Sequence, residues 1–380
     1  MPLPHPNLRI ATKMLLTAAL ALLAACSGKP LPIPPEPSTS ISAPQYATRI
    51  ERARATVSSL LEDYPAVSIS VGINGQLVWS EALGWADVSE LRPARPDTRF
   101  RMYSDSKPLT AVLALRLSES GALNLDSGIG DFMPDLPEAL RAITPRQLLQ
   151  HSSGIRHYRK GEWMTVSKRP CASPHDALLP FIHDPLLHTP EETFAYSSYG
   201  YVLLSAAIEA ATQEPFHELM QREVLSVSGM SHTGREVPGD QRLATAYDQT
   251  GTGRVSVSET VDNSCKFGAG ALVGTSEDLA LFGMALTEGK LLSAKARDEM
   301  LVASKQSMQA GRQYGLGWGL ATDPKLGRVA GHSGGGLGGR AYLLMVPEHR
   351  LVVAMLGNTE GASMETIALE VAAEFVDQDR

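Results

Sequence analysis

Cysteine is scarce in this chain, which has three cysteines among its 380 residues. They stand far apart, at positions 26, 171 and 265. So few cysteines at such spacing build no disulfide framework of the kind that stabilises small secreted domains. Cys171 and Cys265 are still able to pair in an oxidising compartment, and the sequence leaves that question open.

Metal-ligand spacing is missing as well. The chain has neither an H-E-x-x-H segment nor paired C-x-x-C segments, which are the usual patterns of a zinc site. Several histidines do fall within one stretch, at His151, His157, His175, His183 and His188. Because their spacing matches no ligand pattern, we expect no metal site, and the chemistry inferred below needs no cofactor.

Long basic runs and long apolar runs are absent too. The formal net charge is -7 at pH 7, and an acidic chain without a basic run argues against nucleic-acid binding. The apolar run over residues 14–25 is shorter than the roughly 20 residues that a membrane-spanning helix needs. Because Arg9 and Lys13 precede it, this run indicates the core of a secretory signal peptide.

The signal ends in Leu23-Ala24-Ala25-Cys26, which resembles a bacterial lipobox. This predicts a signal peptide over residues 1–25 and lipidation of Cys26; a plain secretory signal cut nearby is the alternative. Several acyl chains on one cysteine give stable membrane anchoring. Ser27 stands where aspartate would resemble an inner-membrane retention signal. We therefore expect the bacterial outer membrane, with the protein facing the periplasm.

Prolines crowd the segment that follows the lipobox. They are Pro30, Pro32, Pro34, Pro35, Pro37 and Pro44. Such a composition favours extended polyproline geometry, at about 3.1 Å per residue. We therefore expect residues 26–44 to form a semi-rigid linker. Residues 45–380 should form one folded domain, because no second linker and no internal repeat divides them.

Strand patterns lie at both ends of this domain, and helical patterns fill its middle. Residues 46–64 predict an amphipathic helix, and residues 365–376 predict a closing helix. The predicted strands cover residues 67–73, 77–83, 315–321, 328–332, 341–346 and 351–356. This order predicts an α/β (α+β) fold in which both chain ends build one sheet. Helices would cover both faces of the sheet, and an all-helical lobe would be inserted.

Ser104 and Lys107 form the only S-x-x-K sequence in the chain, just before an apolar helical run over residues 109–120. At positions i and i+3 of a helix, the two side chains lie on one face. A serine hydroxyl needs an adjacent base, and a lysine serves as one only when burial or a helix dipole lowers its pKa. The pattern points to acyl transfer by Ser104 with Lys107 as base.

A second segment, Tyr196-Ser197-Ser198, opens a predicted helix. Tyr196 would exchange protons with Lys107, and Ser198 would contact the substrate. The alternative is that Tyr196 is an aromatic wedge and that one of the two serines is merely an N-cap.

A third segment, His332-Ser333-Gly334-Gly335-Gly336, ends a predicted strand. Glycine lets backbone approach a ligand closely. A backbone N–H in this segment, together with the N–H of Ser104, would form an oxyanion hole. The alternative is a flexible glycine turn.

In chain order, these segments resemble the motifs S-x-x-K, Y-x-N and K-T-G or H-x-G of the serine β-lactamase-like family, the class C β-lactamase and penicillin-binding type. The resemblance runs from about residue 45 to the C-terminus. Residues 148–158, 261–264 and 268–270 are most similar to a subgroup, the bacterial relatives of the mitochondrial serine β-lactamase-like protein. The resemblance implies a β-lactamase-like αβα sandwich with an antiparallel sheet and a serine hydrolase domain over residues 45–380.

The resemblance also implies roles for single residues. Ser104 would be the acylated nucleophile, with Lys107 and Tyr196 as the base pair. The oxyanion hole would consist of the backbone N–H groups of Ser104 and Gly335. The residues implied to contact the substrate are Ser198, His332, Ser333 and Gly334.

Two departures from the family pattern bear on the substrate. Ser198 stands where asparagine is usual, and its hydroxyl orients a substrate amide differently. His332 stands where β-lactamases have lysine; being only partly charged near neutral pH, it would hold a substrate carboxylate less firmly. Both changes suit a peptidase, amidase or esterase better than a β-lactamase.

We therefore predict a membrane-anchored serine hydrolase that forms an acyl-enzyme on Ser104 with a peptide, ester or other small-molecule substrate. β-Lactamase or D-Ala carboxypeptidase activity is one alternative. A non-catalytic envelope protein that uses the same fold to bind a ligand is another. The sequence gives no oligomeric state.

Overall fold

The two ends of the chain supply the long strands, and its middle supplies most of the helices. The structure is a computed structural model that describes residues 28–162, 166, 168–251 and 253–376. Its strands are β1 Lys29–Pro30, β2 Ser38–Ser42, β3 Ala66–Ile73, β4 Gln76–Asp87, β5 Arg92–Pro93, β6 Phe100–Arg101, β7 Gly234–Arg235, β8 Tyr247–Gly251, β9 Arg254–Val257, β10 Leu272–Gly274, β11 Gly319–Asp323, β12 Gly327–Gly336, β13 Gly339–Val346 and β14 Leu351–Gly357. Its α-helices are α1 Ala47–Ser58, α2 Ser106–Glu119, α3 Glu138–Arg141, α4 Pro145–Leu149, α5 Ser198–Thr212, α6 Phe216–Leu219, α7 Ser226–Ser228, α8 Ser276–Thr287, α9 Ala294–Met300, α10 Lys305–Gln309 and α11 Met364–Phe375.

The main sheet is antiparallel, with the order β11-β12-β13-β14-β3-β4-β2 and with β5 paired to β4. Strand β14, from the C-terminal end, pairs along its whole length with β3 from the N-terminal end. The predicted sheet built from both chain ends is therefore confirmed. Strand β12 runs further than predicted, because its pairing with β13 continues to Gly336. Strand β11 begins later than predicted, at Gly319.

Side chains alternate across β3, and the two faces of the sheet enter different cores. Val67, Ile69 and Val71 point to one face, where they pack with α1 and α11. Ser68 and Ser70 point to the other face, where each hydroxyl lies 2.8 Å from Ser276 Oγ at the start of α8. The larger core lies on this second side, and it includes the inserted helices. The sheet therefore separates a mainly apolar layer from the layer that holds the candidate site.

The predicted linker over residues 26–44 is wrong where the structure describes it. Strand β2 pairs with β4 at the edge of the main sheet, and β1 pairs with β9. The intervening segment also contacts the domain, because the indole N–H of Trp85 donates to Ile33 O. The folded unit therefore begins before residue 45. The extended geometry that proline favours is satisfied here by strand pairing and surface contacts.

The predicted membrane anchor falls on residues that the structure does not describe. Both the signal peptide and Cys26 lie outside the described residues. Among the residues that are described, no helix has the length and apolar character needed to cross a bilayer. The anchor stays a prediction.

Residues 156–190, which we call the excursion, pack on the helical lobe where the structure describes them, with the Phe181 ring stacked on Tyr199 of α5 at 4.3 Å between centroids. The Arg156 guanidinium pairs with Glu162 and Asp184, at 2.6 Å each. A disulfide joins Cys171 to Cys265, two residues that are 94 apart in sequence. This bond fastens the excursion to the segment Ser264–Ala269, which lies beside the candidate catalytic lysine.

Candidate active site

Ser104 lies in a tight turn that leads directly into a buried helix. The turn is the 3-10 segment Tyr103–Asp105, and α2 begins at the next residue. Pro108 occupies the first turn of α2, where its missing N–H removes no helical hydrogen bond. Tyr103 has a φ of 48°, in the left-handed region, a conformation that a non-glycine residue adopts only where its surroundings enforce it. The turn thus places a serine hydroxyl at the positive end of α2.

Lys107 lies one helical turn on, and its side chain is completely buried. Its Nζ lies 2.9 Å from Ser104 Oγ, 3.2 Å from Ser198 Oγ and 2.9 Å from Ala269 O. A neutral amine has two N–H donors and one lone pair. The N–H groups can donate to Ala269 O and Ser198 Oγ, which leaves the lone pair to accept the Ser104 O–H. The geometry therefore fits a lysine that acts as a base.

The surroundings of Lys107 favour this neutral form. Burial lowers the pKa of Lys107 well below its usual range, and the positive charge of Lys266 lowers it further. The Asp105 carboxyl opposes this effect. However, burial raises the pKa of Asp105 well above its usual range, which disfavours the charged carboxylate that would oppose the effect. Neither oxygen of Asp105 has a hydrogen-bond partner among the described residues.

Tyr196 and Ser198 reach Lys107 from the start of α5. The Ser197 hydroxyl is the N-cap, since its Oγ accepts from Gly200 N at 3.0 Å. Ser198 is thereby left to face Lys107, and the Tyr196 ring centroid lies 4.9 Å from Lys107 Nζ. Burial raises the pKa of Tyr196, although hydrogen bonds with the Ser104 and Ser198 hydroxyls oppose the shift. Tyr196 is therefore a proton donor in the resting site, and Lys107 is the better base.

The segment that follows Lys266 is fixed from two sides. The Thr110 hydroxyl of α2 donates to Gly268 O at 3.0 Å, and Gly268 N donates to Ser205 Oγ of α5 at 3.1 Å. Phe267 has a φ of 38°, a conformation that persists in a non-glycine residue only where its surroundings enforce it. These contacts hold Ala269 O against Lys107 Nζ. No sequence motif pointed to this carbonyl.

The glycine-rich end of β12 runs beside the turn that carries Ser104. Pairing with β11 ends at Gly331, so residues 332–336 have an edge that β11 does not cover. A Cβ at Gly334 would lie 1.9 Å from Met102 O, and one at Gly336 would lie 2.6 Å from the Tyr103 ring. Glycine is therefore needed here for close backbone approach. Gly334 and Gly336 therefore lie against the turn that carries Ser104, and Gly335 stands between them in β12. The role of the Gly335 N–H in an oxyanion hole stays a prediction.

His332 differs from what the sequence suggested about its charge. Partial protonation near neutral pH was expected, but burial lowers the pKa of His332 to about 3. Both ring nitrogens are engaged, with Nδ1 lying 2.9 Å from Ser333 O and Nε2 lying 3.1 Å from Tyr314 Oη. His332 is therefore neutral and turned into the protein.

Two of the histidines that fall close together in sequence accept hydrogen bonds from backbone N–H groups. His151 Nδ1 accepts from Ser197 N, and His157 Nδ1 accepts from Ser198 N, each at 3.1 Å. Among the described residues, no group of three His, Cys, Asp or Glu side chains is arranged to hold a metal ion. These histidines instead bind the N–H groups at the start of α5.

A cleft of about 880 Å³ opens beside the candidate site. Arg101 and Asn263 are among its lining residues, and Ser104 is not. Asn263 lies close to the side chain of Tyr103, the residue before Ser104. Its Oδ1 has no partner within the described part of the chain. An unpaired amide oxygen therefore lies close to the turn of the nucleophile.

Comparison with known proteins places this geometry in context. A family model described as Beta-lactamase matches residues 53–376. The chain is 26% identical over 443 residues to the mitochondrial serine beta-lactamase-like protein LACTB of Homo sapiens, covering 88% of this chain and 81% of that protein.

Solved structures share the fold. A D-stereospecific amidohydrolase from Streptomyces sp. matches with a TM-score of 0.70 and 23% identity, over 87% of this chain and 98% of that one. EstCE1, a hydrolase with promiscuous acyltransferase activity, matches with a TM-score of 0.74 and 21% identity, over 86% of this chain and 98% of that one. The β-lactamase-like fold expected from the motifs is confirmed.

Proposed function

The chain belongs to the beta-lactamase family of serine acyl-transferring hydrolases, and from that premise we propose that it is a membrane-anchored peptidase, amidase or esterase that acts through Ser104. The observation that carries the proposal is the contact of 2.9 Å between Lys107 Nζ and Ser104 Oγ, made by a lysine with no solvent exposure. A buried neutral amine beside a partly exposed serine is a nucleophile with its base in place.

The proposed reaction uses these groups in sequence. Ser104 Oγ bonds to the substrate carbonyl carbon while its proton passes to Lys107 Nζ. The backbone N–H groups of Ser104 and Gly335 stabilise the resulting oxyanion. Tyr196 then donates its phenolic proton to the leaving nitrogen or oxygen and recovers a proton from Lys107, and the C–N or C–O bond breaks. Water releases the acyl group by the reverse proton transfers.

Two features favour an amide or ester substrate over a β-lactam. His332 is neutral and bound to Tyr314 and Ser333, so it offers no charge to a substrate carboxylate. Ser198 is engaged with Lys107 and has no amide group to orient a substrate. The structurally similar amidohydrolase and EstCE1 are consistent with such chemistry on this fold.

The test is intact-mass labelling of the purified protein by a fluorophosphonate and, separately, by a β-lactam. We expect one fluorophosphonate adduct that Ser104→Ala abolishes. We also expect slow or absent β-lactam turnover. Hydrolysis of an amide and an ester that carry the same D-amino-acid acyl group would then separate the two substrate classes.

The possible outcomes are distinct. Rapid β-lactam turnover would move the assignment to β-lactamase, and release of terminal D-alanine from a muramyl peptide would move it to a carboxypeptidase. If the folded protein were labelled by neither reagent, the catalytic assignment would be lost, and a ligand-binding role on this fold would take its place.

The proposed anchor is the lipid on Cys26, at the periplasmic side of the outer membrane. Its support is the lipobox sequence Leu23-Ala24-Ala25-Cys26. In a bacterial host fed an alkyne fatty acid, the protein should acquire the label and fractionate with outer membranes. Cys26→Ser should remove the label; if the variant kept it, the assignment of Cys26 would be wrong.

A further inference from the structure

A continuous run of hydrogen bonds links the two sides of the candidate site through three buried side chains. Tyr314 Oη lies 3.1 Å from His332 Nε2 and 3.3 Å from His151 Nε2. His332 Nδ1 lies 2.9 Å from Ser333 O, and His151 Nδ1 accepts from Ser197 N at 3.1 Å. Tyr314 and both histidines are at most 7% exposed. We call these three residues the Tyr314 bridge.

The hydrogen-bond partners at the two ends of the Tyr314 bridge determine which atom carries each hydrogen within it. The Ser197 N–H is a donor, so His151 Nδ1 must accept, and neutral His151 carries its hydrogen on Nε2. Ser333 O is an acceptor, so His332 carries its hydrogen on Nδ1, and its Nε2 accepts. Tyr314 Oη therefore accepts from His151 and donates to His332. The two histidines hold opposite tautomers because one phenol lies between them.

Each end of the bridge touches a segment that the reaction needs. Ser197 N belongs to the peptide that joins Tyr196 to the N-cap of α5. The His151 ring also packs on the Tyr196 ring, with centroids 4.3 Å apart. At the other end, Ser333 O lies in β12, two residues before Gly335. The bridge thus runs from the proton donor on the helical lobe to the oxyanion strand of the sheet.

We propose that Tyr314 is a positioning residue, whose hydroxyl holds the Tyr196 side and the Gly335 side of the site at a fixed separation. The inference rests on the proposed function, because that function is what gives Tyr196 and Gly335 their roles in the reaction. Tyr314 itself contacts no reacting atom. A shift of a fraction of an ångström between proton donor and oxyanion hole is enough to slow acyl transfer.

Other titratable groups surround the Tyr314 bridge, and their charges affect the protonation of its side chains. Asp105 Oδ1 lies 3.8 Å from His332 Nδ1. The groups that face the three bridge residues are Lys107, Asp105, His157, Tyr196 and Tyr201. Tyr201 is fully buried, lies near the Tyr314 hydroxyl and packs on the His151 ring. Its own hydroxyl donates to Leu149 O at 2.9 Å. It belongs to neither end of the bridge.

Tyr201 therefore supplies a matched control, since Tyr314→Phe and Tyr201→Phe each remove one buried hydroxyl and keep the ring. Labelling of Ser104 by a fluorophosphonate measures the nucleophile directly. We expect Tyr314→Phe to slow labelling about tenfold to a hundredfold, mainly in the bond-forming step rather than in reagent binding. Tyr201→Phe should slow it less than about threefold. Equal effects in the two variants would overturn the positioning role.

A spectroscopic measurement tests the bridge without using activity. With ¹⁵N-labelled histidine in the wild-type protein, nitrogen shifts distinguish the two neutral tautomers. We expect Nε2–H for His151 and Nδ1–H for His332 at neutral pH, and a changed His332 pattern in Tyr314→Phe. The same tautomer at both residues, or a charged ring, would overturn the bridge even if Tyr314→Phe failed to fold. If the tautomers matched while wild-type Ser104 resisted labelling, the proposed function would fail and the bridge would stand.

Discussion

The two faces of the central sheet are built from the same strands, but they bury different chemistry. Toward α1 and α11, β3 presents Val67, Ile69 and Val71, and that core is mainly apolar, with one buried carboxylate, Glu81, paired with Arg54 of α1. Toward the helical lobe, β3 presents serines, and beyond them lie a buried lysine and a buried, unpaired carboxyl. Burial of apolar area stabilises the first side. Burial on the second side carries a cost in desolvation, and it is what sets the pKa values that acyl transfer requires.

Replacing Lys107 should remove the acylation chemistry from the face toward the helical lobe, where burial of polar groups costs free energy. Lys107→Met keeps the length of the side chain but deletes the base, so Ser104 acylation should fall by about a thousandfold. Stability should not fall, because a buried amine is replaced by an apolar group. Labelling kinetics and thermal unfolding measured together test both statements. A folded variant that is labelled at the wild-type rate would assign the base to another residue.

A cavity on the apolar side should affect stability alone. Ile69→Ala is expected to lower the free energy of unfolding by about 2–5 kcal/mol, as for other fully buried large-to-small changes. Ser70→Ala, on the opposite face of the same strand, should cost about 1 kcal/mol for the lost hydrogen bonds. Urea unfolding measures both. If Ile69→Ala slowed labelling per folded molecule, the two layers would not be separate.

The glycine strand offers a sharper comparison within the site. Gly334→Ala pushes a methyl group against Met102 O, so it should displace β12 from the Ser104 turn and slow labelling about tenfold or more. At Gly335, the nearest atom to an added Cβ is the flexible Arg340 guanidinium, at 2.8 Å. Gly335→Ala also keeps its N–H, so the labelling rate should stay within about threefold. The reverse order would contradict the requirement for close backbone approach at Gly334.

The smallest expected effect is a shift in the pH profile. The charge of Lys266 lowers the pKa of Lys107, and only neutral Lys107 accepts the Ser104 proton. Lys266→Met should therefore raise the pKa of Lys107. The acidic limb of the pH profile of the labelling rate should then move to higher pH, by up to about one unit. Burial lowers the pKa of Lys266 itself to about 8, so the difference should shrink above that pH. A limb that moved downward would contradict this electrostatic coupling.

The sequence predicted the core of the site because spacing alone brings its members together. Ser104 and Lys107 are one helical turn apart, and local periodicity was sufficient to pair them. The sheet was predictable for a related reason, since its long strands have clear apolar patterns. By contrast, β2 was predicted as linker because its pairing with β4 depends on a partner about forty residues away. Composition carries no signal for such a contact.

Burial explains what else the sequence left undecided. The neutrality of His332 follows from its enclosure and from its bond to Tyr314, neither of which can be read from a histidine beside glycines. Cys171 and Cys265 pair because the excursion folds back onto the lobe. Asp105 stood within the S-x-x-K segment without being assigned a role.

The position of β2 also decides how the protein can be handled. Strand β4 extends over twelve residues, and β2 covers part of the edge that faces away from β3. A chain that started at residue 45 would leave this backbone unpaired, and such an edge invites pairing with another molecule. We would expect that fragment to aggregate or to form intermolecular sheets. A recombinant form that begins at Gly28 keeps its own protective strand.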